Sequence, residues 1–172
     1  MVIRFVGSRR YGCFKTCWVS SPFAIRRDGS IVVIAATFPD VPVLLHLSAN
    51  GKLDRSFGRG GMVRVRLKDH EIEPFGLGLQ GDRIVVTGWD EASVDRKLEL
   101  HFTVLRYLAD GSRDLAFGSD GAVFRSDEPF SGAYATLEQA GGRLLVAGGG
   151  QDKAEGDPYY SSSLLLTRYL PD

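Results

Sequence analysis

Cysteine is scarce: Cys13 and Cys17 are the only two in 172 residues, and they sit four apart. Both are expected as free thiols. A disulfide closing so small a ring, or a metal site without further ligands nearby, is the lesser alternative. Two cysteines do not decide the redox compartment. Long apolar runs are also missing. No stretch approaches the ~20 residues of a membrane-spanning helix. Val2 to Val6 is interrupted by Arg4, and no apolar core of ~7–15 residues follows, so the N-terminal stretch does not read as a secretory signal. The compartment is left unassigned. Charge of either sign lacks a surplus, since Lys plus Arg and Asp plus Glu are 21 each. That removes the electrostatic case for nucleic acid or for a membrane surface as partner. Helical periodicity is almost absent, which favours an all-β chain.

Motifs of catalysis and cofactor binding are missing too. There is no Gly-x-Ser-x-Gly, no phosphate loop, no Cys-x-x-Cys and no zinc spacing. Asp69-His70-Glu71-Ile72-Glu73 gathers acids around a histidine, but neighbours in a strand face opposite sides and do not converge on one ion. His101 reads as a strand residue. Trp18 and Trp89 read as packing residues. Gly148-Gly149-Gly150 follows a strand with no helix after it, which argues against a phosphate cradle. No metal and no cofactor are expected.

What the chain does have is glycine, 21 residues of it, arranged in a repeat. Leu44 to Arg66 reads LLHLSANGKLDRSFGRGGMVRVR, and Val104 to Ser126 reads VLRYLADGSRDLAFGSDGAVFRS. Asn50-Gly51 matches Asp110-Gly111, Asp54 matches Asp114, Phe57-Gly58 matches Phe117-Gly118, and Gly61 matches Gly121, always 60 apart. Constant spacing means one structural unit used twice. A third copy begins as LTRYLPD at Leu166. Asn-Gly and Asp-Gly are turn pairs because both residues tolerate positive φ. Asp54 and Asp114 can accept backbone N–H groups and hold their loops closed. Phe57 and Phe117, each the one large apolar residue in a polar loop, are expected to anchor it to the core. Gly58, Gly61, Gly118 and Gly121 let the chain reverse. Two carboxylates with a cation between them make a poor calcium loop, so turn stabilisation accounts for these residues.

A hairpin pattern precedes each copy: AIRRDGSIVVIA from Ala24, LGLQGDRIVVTG from Leu77 and LEQAGGRLLVAG from Leu137. Strands around tight turns are expected in all three. One unit is then about four short antiparallel strands, the layout of a propeller blade.

These segments resemble the delta-60 repeat family, whose units carry a strand ending L-N-x-D-G-x-x-D-x-x-F-G-x-x-G and a strand of the D-G-K-I-V-V-A-G kind. LSANGKLDRSFGRGG, LADGSRDLAFGSDGAV, QGDRIVVTG and AGGRLLVAGG carry the resemblance, which spans about residues 23–172. It implies a β-propeller-like array, often found within large bacterial surface or secreted proteins. It implies no agreed activity and supplies no catalytic residues. The chain departs from the pattern in having few units, the third without its D-G-onward half.

The expected fold is therefore an all-β, propeller-like domain over 1–172, with units at about 23–73, 74–132 and 133–172. Met1 to Phe5 is similar to the last strands MVRVR and AVFR, so residues 1–6 are expected to complete the last unit. Three blades are too few to close a ring of ~4–8. A homodimer closing six blades is expected, with a three-sheet prism as the monomeric alternative. Candidate partner-binding residues are His46, Arg106 and Arg168, which share one repeat column, and Asp157, Tyr159 and Tyr160 in the longest loop, expected over Gly149 to Ser163; the equivalent loop of unit two is expected over Asp90 to about Leu98. The column could instead pair with local acids such as Asp114. The leading function is a non-catalytic interaction module presenting blade loops to a protein or glycan. The alternatives are an enzyme with its site at a propeller mouth, needing Arg106 and Arg168 to meet acids such as Asp69 or Asp90, and a purely structural repeat.

Overall fold

Each residue of Ile31-Val32-Val33-Ile34-Ala35 is apolar, yet the strand is not symmetrical: Val32 and Ile34 are fully buried while their neighbours are half-buried. Alternate side chains leave opposite faces of a strand, so one face of this sheet is covered and the other only in part. The computed structural model describes residues 22–35, 41–68, 70–94, 97–125, 130–152 and 161–171. The expected strand at residues 1–6 lies outside them, as do Cys13, Cys17, Trp18, Asp69, Asp157, Tyr159 and Tyr160.

Eleven strands and no helix make up the described residues. β1 (Phe23–Ile25), β2 (Ile31–Ala35), β3 (Val43–Leu47) and β4 (Met62–Arg64) form a four-stranded antiparallel sheet in chain order. β5 (Glu71–Gln80), β6 (Arg83–Val94), β7 (Lys97–Tyr107) and β8 (Ala122–Arg125) form a second meander. β9 (Phe130–Gln139), β10 (Arg143–Asp152) and β11 (Ser161–Tyr169) form a third. A single parallel bridge, Leu100 to Phe130, joins the second and third into one seven-stranded mixed sheet. We call the three meanders units one, two and three.

The turn chemistry repeats bond for bond. In unit one Ser48 N donates to Lys52 O, Gly51 N to Ser48 O, Asp54 N to His46 O and Phe57 N to Asp54 O. In unit two Leu108 N donates to Ser112 O, Gly111 N to Leu108 O, Asp114 N to Arg106 O and Phe117 N to Asp114 O. The 60-residue identity of turn residues is thus an identity of backbone path.

Two expectations need correction. Asp90 to Val94 and Lys97 to Leu98 are strand rather than loop, since β6 and β7 stay paired out to Val94 and Lys97. Likewise β10 and β11 pair out to Asp152 and Ser161, inside the expected loop 149–163. Polar residues do not end a ladder when water can take their side chains and the backbone bonds continue. The hairpin match is also one residue out. Ile25 pairs with Ile31 and Glu138 with Leu144, but Leu79 pairs with Ile84. Unit two turns on two residues where the others use three.

The units pack face to face. Val32, Ile34, Leu44, Phe57 and Val65 of unit one meet Ile72, Ile84, Val86, Leu105 and Tyr107 of unit two. The opposite face of unit two offers Val85, Phe102, Val104 and Phe117 to Ala133, Leu144 and Val146 of unit three. Phe57 reaches across to the next unit's turn, where a Cβ on Gly111 would stand 2.8 Å from its ring. Gly58 N donates to Asp110 O (2.8 Å) beside it. Phe117 makes the equivalent crossing and meets Tyr169 at 5.4 Å between ring centroids.

Phe117→Ala should therefore cost ~3–5 kcal/mol by loss of a buried ring, measured by urea denaturation. Leu115→Ala, two residues away and 68% exposed, should leave the midpoint unchanged. Equal effects from the two would mean the ring is no anchor.

Candidate functional site

His46, Arg106 and Arg168 share one position of the repeat. Arg106 is fully buried. Its Nε donates to Asp114 Oδ2 at 2.7 Å and its Nη1 to Gln80 Oε1 at 2.9 Å. Its guanidinium lies 4.4 Å from the Phe117 ring centroid. Gln80 passes the contact on, donating from Nε2 to Gly142 O of unit three at 2.6 Å. His46 holds the same position in unit one, with Nδ1 2.9 Å from Asp54 Oδ2 and its ring 5.4 Å from that of Phe57. Asp54 and Asp114 each use the other oxygen to accept a backbone N–H, from Ser56 (3.0 Å) and Ala116 (3.3 Å). The column in units one and two is thus paired with its own loop acids between the units. Arg168, on β11, is exposed.

Arg106 and Asp90 do not converge, because they leave opposite faces of unit two: Arg106 pairs with Val85, and Asp90 with His101 five residues further along the same strand. Asp90 is instead the meeting point of two histidines. Its Oδ2 accepts from His70 Nδ1 at 2.7 Å, and His101 Nδ1 stands 4.0 Å away. His101 Nε2 is 3.1 Å from Glu99 Oε2. His70 stacks on Phe124 at 4.4 Å. The acid that His70 meets is none of its sequence neighbours: strand register brings it from β6. Among the described residues no group of three or more His, Cys, Asp or Glu is set to hold a metal ion.

A cleft of ≈ 420 Å³ opens between units two and three, lined by Trp89, Leu100, Phe130, Tyr134, Gln151 and Ser163 among others. Two matching bulges lie at it, one supplying the lining residue Tyr134 and the other the ring that packs behind Trp89 and Tyr134. The β5–β6 register shifts between Pro74 and Gly76, leaving Phe75 as the extra residue. The β9–β10 register shifts opposite Ala147 and Gly148, leaving Tyr134 as the extra residue. A bulge re-aims the side chain it carries. The close approach needs glycine opposite: a Cβ on Gly88 would lie 2.1 Å from Glu73 O, and on Gly148 2.0 Å from Gly132 O. Phe75 packs edge-on to Trp89 (4.5 Å) and Tyr134 (5.7 Å). Tyr134 is still 49% exposed and Phe130 42%. Trp89 therefore both packs and lines a surface. Sequence reasoning passed over Phe75 and Tyr134; the signal was two aromatics 59 apart, each ahead of a strand closing on glycine.

The turn acids have one shared electrostatic feature. Asp28, Asp54 and Asp110 each accept the hydroxyl of the serine two residues on, at 2.6 Å, together with its backbone N–H. These bonds hold the three carboxyls below their ordinary value.

No protein-family model matches the chain, and a search of curated proteins finds no significant match.

Two outcomes follow. A carboxyl whose folded value is lowered stabilises above its unfolded value, near 3.8, and that contribution disappears as pH falls through the lower folded value. Replacing Ser30, Ser56 and Ser112 by Ala should move the three titrations up toward the unfolded value in carboxyl-carbon NMR. Unmoved titrations would show that the hydroxyls do not hold them. Arg106→Leu should cost ~2–4 kcal/mol in a denaturant melt, because Gln80 loses its buried donor and Asp114 keeps only the half-exposed Arg83, at 3.1 Å from its Oδ2, as a cationic partner. A loss below ~1 kcal/mol would mean the pair is dispensable.

Proposed function

We propose that the chain is a non-catalytic interaction module of propeller-like build, and that its aromatic cleft binds a glycan. The build is supported by three meanders stacked on one another, with β1 beside β5 and β5 beside β9. That succession of first strands suits blades around a common axis. The delta-60 motifs point the same way. The observation that carries the binding reading is the pair of bulged aromatics, with Tyr134 and Phe130 left open to solvent beside Trp89. Aromatic faces stack on the C–H faces of sugar rings, while a rim of amide and hydroxyl groups meets sugar hydroxyls. The cleft falls within the ~300–1,000 Å³ usual for small-ligand sites.

A second reading, an enzyme, draws on His70 and Asp90. A buried carboxylate holding Nδ1–H leaves Nε2 as the proton-accepting nitrogen, the arrangement of a general base. His70 is a third exposed, which gives a reactant access.

The two separate on a glycan array followed by calorimetry with the best oligosaccharide. Tyr134→Ala and Trp89→Ala should each weaken binding at least ~10-fold, and His70→Asn should leave it unchanged. Absence of binding across the array, or binding indifferent to Tyr134→Ala, would sink the glycan reading and leave a structural role for the repeat.

A further inference from the structure

Among the described residues, the outer faces of units one and three are halves of the contact the array uses internally. Register equates Phe102, Val104 and Arg106 on β7 with Leu164, Leu166 and Arg168 on β11. Unit three covers the first set, and all three are 0% exposed. Among the described residues nothing covers the second: Leu164 is 82% exposed, Leu166 62%, and Arg168 is exposed too. Leu137, on the same face of β9, is 64% exposed. At the other end, Phe23 and Ile25 of β1 correspond to Leu77 and Leu79 of β5, which are half-buried beside unit one. Phe23 is 62% exposed and Ile25 60%.

We propose that a second copy of this chain supplies the absent neighbour at both ends. The unit-three face of each copy seats on the unit-one face of the other, and two copies close a ring of six units. The occupant follows from continuity with the internal contact, which is directional: each unit offers its third-strand face to the next unit's first hairpin. A head-to-tail contact generates a ring when its rotation closes and a filament when it does not. Six units fall within the ~4–8 of closed propellers and three do not. Closing also removes both apolar faces from water at once.

The internal contact specifies the pairs. Gly78 of unit two lies against Thr136 of unit three. Register equates Gly78 with Leu137 and Thr136 with Phe23, so Leu137 of one copy meets Phe23 of the other. Gln80 donates to Gly142 O across the same contact. The corresponding pair is Gln139 of one copy and Gly29 of the other. Apolar side chains and a turn carbonyl are thus matched at both seams without any residue from outside the array.

The test is the solution mass of the full chain by size-exclusion chromatography with light scattering. A mass twice that of the 172-residue chain is expected. Leu137→Glu and Phe23→Lys alter side chains exposed within one chain, so each variant should keep the far-UV circular dichroism of the folded chain yet run as a monomer, with the lower melting point that loss of a dimer brings. Mixed in equal amounts they should regain the dimer. One seam then holds the acid–base pair and the other is unaltered. A monomeric unaltered chain overturns the proposal. So does a mass that keeps growing with concentration, which means an open filament or aggregate. Loss of the dimer in Leu137→Glu but not in Phe23→Lys also overturns it, since that marks a contact between two unit-three faces.

Discussion

The structure depends on one aromatic ring clamped at each of the two contacts between units. Phe57 lies against the His46 ring and Phe117 under the Arg106 guanidinium, each on its own third strand, and each presses on the turn or tyrosine of the next unit. A β-meander of three or four strands has a face it cannot cover alone. Its stability comes from the neighbour, and the ring sets how the neighbour sits. The glycine at the Asp-Gly turn is needed twice over: for the backbone bend, and because a Cβ at Gly111 would occupy the space that Phe57 fills.

The buried cation is the polar half of the same contact. Arg106 would be costly to bury alone, and its position is tolerable because Asp114, Gln80 and the Phe117 face all meet it. The carboxylate serves both purposes, with one oxygen on the cation and the other on the loop backbone. Loop closure and unit packing are therefore coupled through a single acid. In unit one His46 makes the smaller version, with a more exposed acid. Burial of the neighbouring phenol in unit two pushes the Tyr107 hydroxyl up to about 12, and the Arg113 guanidinium lies 4.7 Å from its ring centroid.

Much of this was legible. The 60-residue recurrence of Asp-Gly, Asp, Phe-Gly and Gly revealed a repeated loop, its anchoring phenylalanine and an all-β chain, because turn residues and alternation act locally. The pairing of Arg106 with Asp114 was among the readings of the column. The cleft and the His70–Asp90–His101 meeting were not legible. Phe75 and Tyr134 acquire their direction from a bulge, and a bulge depends on what lies across the ladder. His70, just ahead of β5, and His101, on β7, come to Asp90 on β6 by a register that single-strand patterns do not carry. The extension of β6 and β7 past Asp90 was hidden for a different reason. Charged residues resemble a loop in composition, while the ladder is held by backbone bonds that composition does not report.

By itself, then, the chain determined its unit: where it turns, which residue anchors each loop and how often the pattern returns. These follow from φ preference and side-chain alternation within a few residues. Tertiary structure decided which faces are covered, which acid each histidine meets and where aromatic rings reach the surface. Those outcomes depend on contacts between strands far apart in the chain, and the same local sequence is buried in one unit and bare in the next according to what stands beside it.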